Sequence, residues 1–188
     1  FRRVLFRSEF ELLTGNTLGF LSAGTTAFQL YIHGQMPSLV SNLKAEGYSG
    51  NKAMHPFNPY NYNRPAVYKD FGFTDFIDKF DFPKNVKRVR EYISDEANVD
   101  CIISEYEKNR KKTDQPFYMY NMTIQNHSPY DKDAANFKQP IKIESSKYDA
   151  EANRYLNLIK YSDDSLKQLT SYFEKCKEPT IILFLGRS

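Results

Sequence analysis

With 188 residues, 40 % of them apolar and 26 % charged, the chain can bury the core of one domain and does not have a disordered composition. Its net charge of +3 argues against a nucleic-acid partner. Arg2, Arg3, Arg7 and Arg187 crowd the two ends, and elsewhere Lys and Arg are interleaved with Asp and Glu as on a solvated surface. No apolar run approaches the ~18 residues of a membrane span, and the basic stretch 1–8 is not followed by an apolar segment of the signal-peptide kind.

The first predicted element is a helix opened by Met36-Pro37-Ser38. It carries Leu39, Val40 and Leu43 on one face and is stopped by Gly47. A short segment, Asn51 to Met54, leads into a turn-rich stretch from His55 to Tyr60. Pro65 to Asp70 reads as a brief helix, and Gly72 to Phe82 as an aromatic loop. Ser94-Asp95-Glu96 supplies a capping hydroxyl and first-turn acids for a helix on which Val99, Ile102, Ile103 and Tyr106 recur at helical spacing.

After Pro116 the run Phe117 to Met122 is apolar and aromatic on both parities, which predicts a strand covered on both faces. A long helical region covers about 150–175, with Leu156, Ile159, Leu166, Leu169 and Phe173 on its apolar side. Beyond Pro179, Thr180 to Leu185 reads as a second buried strand. Strand, helix, strand implies an α/β fold, a parallel sheet with helices over it. Such sheets bind ligands beyond the carboxyl ends of their strands, which points to Gln125-Asn126-His127 and to Gly186. Cys101 and Cys176 lie in amphipathic helical patterns and read as buried free thiols.

The most specific stretch is Pro116-Phe-Tyr-Met-Tyr-Asn-Met-Thr-Ile-Gln-Asn-His-Ser-Pro-Tyr130, a strand ending in a His-x-Pro turn. It resembles the lipoteichoic acid synthase family of the sulfatase/alkaline phosphatase superfamily. Ser8-Glu-Phe-Glu-Leu-Leu-Thr-Gly-Asn16, Met36-Pro-Ser-Leu39, the segment from His55 through Arg64, Phe71-Gly-Phe73 and the stretch from Tyr155 to Asp164 fall in order where that family has counterparts. The resemblance covers 8–186 and implies a partial alkaline-phosphatase/sulfatase-like sheet with helices on both faces.

The implied activity is metal-dependent phosphoglycerol transfer, with Mn2+ or Mg2+, from phosphatidylglycerol to a glycerol-phosphate polymer or glycolipid acceptor. The implied setting is a membrane-anchored protein of a Gram-positive bacterium with its catalytic domain outside the cell. Carried over by position, His127, His55 and Arg64 correspond to substrate-phosphate residues. Tyr62 and Asn63 fall inside the same binding segment. An arginine suits phosphate because its planar fork donates two hydrogen bonds. Two departures stand out: Phe57 replaces an acid found in some members, and Tyr62 replaces a tryptophan, so the implied acceptor specificity is altered.

The family's threonine nucleophile would fall at Leu5, and its metal-binding Asp-His pair would follow Gly186, where Arg187-Ser188 stand. The expectation is therefore an internal piece with no catalytic or metal-ligating residue of its own: 1–7 and 187–188 non-native, 8–186 a partial catalytic domain. The alternative is a non-catalytic module that binds anionic polymer or lipid headgroups. Simpler readings compete at each site residue. His127 alone could be a turn histidine, His55 an exposed loop residue, and Arg64 a helix-start cation paired with Asp70 or Asp75. His33 reads as a surface residue. Asp163 and Asp164, adjacent on a helix, diverge by about 100° and are not assigned to chemistry.

Overall fold

The computed structural model describes residues 7–22, 24–145 and 149–186. Three parallel strands form its sheet: β1 (Ser49–Met54), β2 (Asp75–Ile77) and β5 (Phe117–Asn121), in the order β2-β1-β5. A two-stranded antiparallel ribbon, β3 (Arg88–Val89) with β4 (Tyr92–Ile93), stands apart from it. The helices are α1 (Arg7–Thr14), α2 (Ala27–Leu30), α3 (Leu39–Ala45), α4 (Arg64–Asp70), α5 (Asp95–Arg110) and α6 (Ala150–Phe173).

Local chemistry starts the helices as expected. Ser38 caps α3 reciprocally with Ser41, and Ser94 accepts from the Ala97 N–H at the start of α5. Asp149 accepts from the N–H groups of Glu151 and Ala152 at the start of α6. At Gly50 (φ 80°) the register of β1 against β5 slips by a bulge. A Cβ there would lie 2.6 Å from the Phe117 ring, so only glycine fits.

The sheet is covered on both faces. Tyr118 and Tyr120 of β5 pack into a cluster drawn from α1 to α4, with Phe10, Leu13, Phe28, Val40, Val67, Tyr68 and Phe71 at its centre. On the opposite parity, Phe117 packs edge-on against Tyr106 of α5, ring centroids 5.7 Å apart. Lys52 ties β1 to β2 and to α5, 3.1 Å from Asp75 and 2.9 Å from Glu105.

Several expectations are corrected. The central strand is β1, read from sequence as a mere lead-in, and β5 lies at the edge of the described sheet. Residues 180–185 form no strand: Ile181, Leu183, Phe184 and Leu185 are exposed. An apolar run specifies burial but not a partner, and without a ladder it gains no strand structure. The aromatic loop 72–82 contains β2. Helix α6 packs on α5, through Tyr172 and Phe173 against Tyr106, instead of directly on the sheet.

The inward residues of α6 also differ from the apolar reading. Asn153 and Asn157 are buried and Leu156 and Ile159 exposed, because the two amides hold the backbone of Ile141 and Ile143. Asn157 accepts from the Ile141 N–H at 2.9 Å and donates to its carbonyl at 2.9 Å, and Asn153 accepts from the Ile143 N–H at 3.0 Å. Cys101 and Cys176 are free but only half-buried, and burial pushes the Cys101 thiol up to about 11.

Candidate functional site

His55 follows the last residue of β1, at the carboxyl end of the sheet. Its N–H donates to the Ile77 carbonyl at 2.9 Å, and its ring Nδ1 lies 3.0 Å from the Met122 carbonyl. A carbonyl accepts only, so Nδ1 carries the proton. At 4 % exposure, His55 is part of the strand-end packing and not an exposed loop residue.

Arg64 begins α4 and is 1 % exposed. Two consecutive left-handed residues, Tyr62 (φ 62°) and Asn63 (φ 56°), turn the chain into that helix. Such a conformation is uncommon for a bulky side chain and costs about 1–3 kcal/mol, which the buried contacts of Arg64 offset. Its Nη2 lies 3.5 Å from Glu9 Oε2 and 3.8 Å from Met122 Sδ, and its guanidinium sits 5.5 Å from the Tyr62 ring centre. The partner is thus Glu9 of α1, not Asp70 or Asp75. Asp75 pairs with Lys52, and Asp70 accepts from the Gly34 N–H.

Glu9 also accepts from the Tyr68 hydroxyl. Burial first, and the Glu9 charge second, push the Tyr68 and Tyr120 hydroxyls well above the usual phenol range. A buried guanidinium with a fixed carboxylate partner presents directed N–H groups with little net charge.

His127 is exposed on the loop after β5, with Nδ1 2.6 Å from the Ser128 carbonyl. A row of rings joins it to His55. His127 lies 6.0 Å from Tyr92, Tyr92 lies 6.0 Å from Phe57, and Phe57 lies 6.0 Å from His55. The structure therefore gathers His55 and Arg64 around Met122 at the ends of β1 and β5, with the Tyr62 ring against Arg64, and sets His127 at the far end of this row. Asn63 is exposed at the turn. Leu5, Arg187 and Ser188 lie outside the described residues.

Sequence reasoning missed the residue that holds the His127 loop. Arg90, buried and left-handed (φ 55°), donates to three carbonyls: Gln125 and Pro129 at 2.7 Å each and His127 at 2.8 Å. The rings of Tyr92 and Tyr130 lie 5.3 and 5.7 Å from its guanidinium. The other side of the loop is tied to α5 and α6. Gln125 accepts from the Asp95 N–H at 3.0 Å, Ser162 donates to Asp95, and Asn126 donates to Ser162 at 2.8 Å. Burial raises the Asp95 carboxyl against the lowering effect of hydrogen bonds from the Ser162 hydroxyl and the Gln125 backbone. Arg88-Val-Arg90 carries no motif, so nothing in the sequence flagged it. Glu9 lies inside the matched Ser8-Glu-Phe-Glu11 segment but had been given no role.

Among the described residues no three His, Cys, Asp or Glu side chains converge to hold a metal ion. They do not make a Mn2+ or Mg2+ site, and no chemical step is assigned to one. Asp163 and Asp164 are both exposed, and Asp164 pairs with Lys160. His33 is exposed, with Nε2 against the Leu30 carbonyl at 2.9 Å.

An α/β domain with a buried arginine and histidine at the carboxyl ends of parallel strands carries them where such sheets gather ligands. The chain belongs to the sulfatase family, whose profile matches residues 7–186. It is 35 % identical over 181 residues to a Rhizobium meliloti (strain 1021) protein named for cyclic beta-1,2-glucan modification, a match covering 95 % of this chain and 27 % of that protein.

Its fold is shared with the lipoteichoic acid synthase LtaP from Listeria monocytogenes (TM-score 0.75, 24 % identity, covering 89 % of this chain and 39 % of that one). It is shared as well with the Streptococcus pyogenes phosphoglycerol transferase GacH, solved in complex with sn-glycerol-1-phosphate (TM-score 0.71, 21 % identity, 95 % of this chain and 46 % of that one). The chain spans less than half the length of each of these proteins.

Proposed function

We propose that this chain serves phosphoglycerol transfer, with phosphatidylglycerol as donor and His55, Arg64 and His127 as the residues that take the glycerol-phosphate headgroup. The supporting observation is the meeting of His55 and Arg64 at Met122 at the carboxyl ends of a sulfatase-family sheet, with His127 on the next loop. Arg64 supplies directed N–H donors, and the ring of each imidazole is fixed by its Nδ1 bond to a backbone carbonyl.

The proposal includes Mn2+ or Mg2+ for the whole enzyme, which would stabilise phosphoryl charge, and a membrane-anchored setting with the domain outside the cell. No helix among the described residues is long and apolar enough to cross a membrane, so the anchoring rests on the family resemblance. For the acceptor, the relative named for cyclic beta-1,2-glucan modification favours a glucan over a glycerol-phosphate polymer.

Titrating the 188-residue chain with sn-glycerol-1-phosphate, followed by NMR of the histidine side chains, tests the site. Saturable shifts at His55 and His127 are expected. His127→Ala, at an exposed position, should weaken binding about tenfold, the worth of one charge-assisted hydrogen bond. Absence of any saturable shift would remove the reading.

A further inference from the structure

Beside the ring row lies a cleft of about 310 Å3, a size suited to one sugar residue. Its lining includes Phe57, Lys79, Phe80, Arg88, Glu91 and Tyr92. Phe57 and Tyr92 belong also to the row that joins His55 to His127, so two walls of the cleft are the rings that pack against the histidines. Phe80 is 70 % exposed, an apolar ring left facing water, with Lys79 Nζ 4.9 Å from its centre. We propose that this cleft is the acceptor subsite and that it takes a neutral sugar ring of a glycan. The inference rests on the phosphoglycerol-transfer reading and deepens it.

The occupant follows from the lining. Three aromatic side chains offer faces of negative potential, which attract the polarised C–H groups on the flat side of a pyranose. Lys79 and Arg88 donate to hydroxyl oxygens, and Glu91 accepts from hydroxyl hydrogens. Burial, and then the Glu91 charge, raise the Tyr92 hydroxyl, so it stays neutral and can donate. A glycerol-phosphate polymer fits poorly. It has no ring face to stack against Phe57, Phe80 and Tyr92, and Lys79 and Arg88 are offset in part by Glu91, so charge alone does not select a polyanion. Phe57 lies at the junction between the ring row and the cleft, 6.0 Å from the His55 ring and 6.0 Å from the Tyr92 ring, where an acceptor hydroxyl must arrive to meet the phosphoryl group.

The experiment uses the 188-residue chain with three probes: a cyclic β-1,2-glucan, a poly(glycerol phosphate) and sn-glycerol-1-phosphate. Saturation-transfer NMR should light up the glucan's ring hydrogens. Phe80→Ala should weaken the glucan about three- to tenfold, the worth of one aromatic face. Phe80 is exposed, so the variant leaves the core intact. Lys79→Ala, checked by an unchanged melting curve, provides an independent second loss. Undiminished glucan binding in both variants would overturn the subsite, as would displacement of the glucan by poly(glycerol phosphate). Glucan failing to bind while sn-glycerol-1-phosphate binds would also overturn it, leaving the phosphoglycerol reading in place. If neither binds, the reading itself fails and takes this inference with it.

Discussion

Two runs that both read as strands, one aromatic and one aliphatic, meet opposite fates in this molecule. Phe117 to Asn121 pairs in parallel with β1, places Tyr118 and Tyr120 in the main core and ends at the loop that carries His127. Ile181 to Leu185 lies exposed with no place in the sheet. What separates them is what lies around each. The first run has a bulged strand with a glycine to accept its phenylalanine, a tyrosine from α5 behind it, and a buried carboxylate–guanidinium pair under its far end. The second has none of these among the described residues. Apolar character is a demand for cover, and structure follows only where other elements supply it.

The comparison breaks most sharply at Glu9, which sits beside Tyr120 and neutralises Arg64. Glu9→Ala should destabilise the fold by about 3–5 kcal/mol, because it strands a buried guanidinium and removes the acceptor of the Tyr68 hydroxyl. A urea titration reads this as a lowered midpoint with little change in slope. A loss under 1 kcal/mol would mean the pair is not the support of β5 that the geometry describes.

Arg90→Ala comes next. It removes three donated hydrogen bonds from the loop that continues β5, at about 2–3 kcal/mol. Backbone amides of 125–130 should exchange faster than those of β1, and Arg90→Lys, with one point donor, should recover only part of the protection. Equal exchange in wild type and Arg90→Ala would show that Asp95, Gln125 and Ser162 hold the loop by themselves.

The smallest effect belongs to the unpaired run. Leu183→Lys should change stability by no more than about 0.5 kcal/mol and should raise solubility, since it adds a charge to an exposed apolar patch. A loss comparable to that of Glu9→Ala would show that 180–185 is packed in solution, erasing the contrast.

Periodicity and capping residues determined much of this protein. The helices opened by Ser38 and Ser94, the long helix over about 150–175, the brief helix ending at Asp70, the strand after Pro116 and the α/β class are all legible in the sequence. These depend on short-range chemistry: a hydroxyl or carboxylate within three residues of an N–H, or a run of side chains with one spacing. The His-x-Pro turn, His55 and Arg64 were legible as motif positions.

Only the tertiary structure made β1 the central strand. Its sequence, Ser49 to Met54 with Gly50, Asn51 and Lys52 inside it, is neither alternating nor continuously apolar, and it is a strand because β2 and β5 lie on either side. The tertiary fold also placed Asn153 and Asn157 beside the buried Leu158 on the inner face of α6, since those two amides meet the backbone of 141–143 and an amide satisfies backbone where leucine cannot. Finally, it chose Glu9 as the partner of Arg64 across 55 residues and Arg90 as the clamp on the His127 loop. A charge pair or a three-carbonyl clamp leaves no trace in local spacing, because its members become neighbours only after the chain has closed the long loops between them.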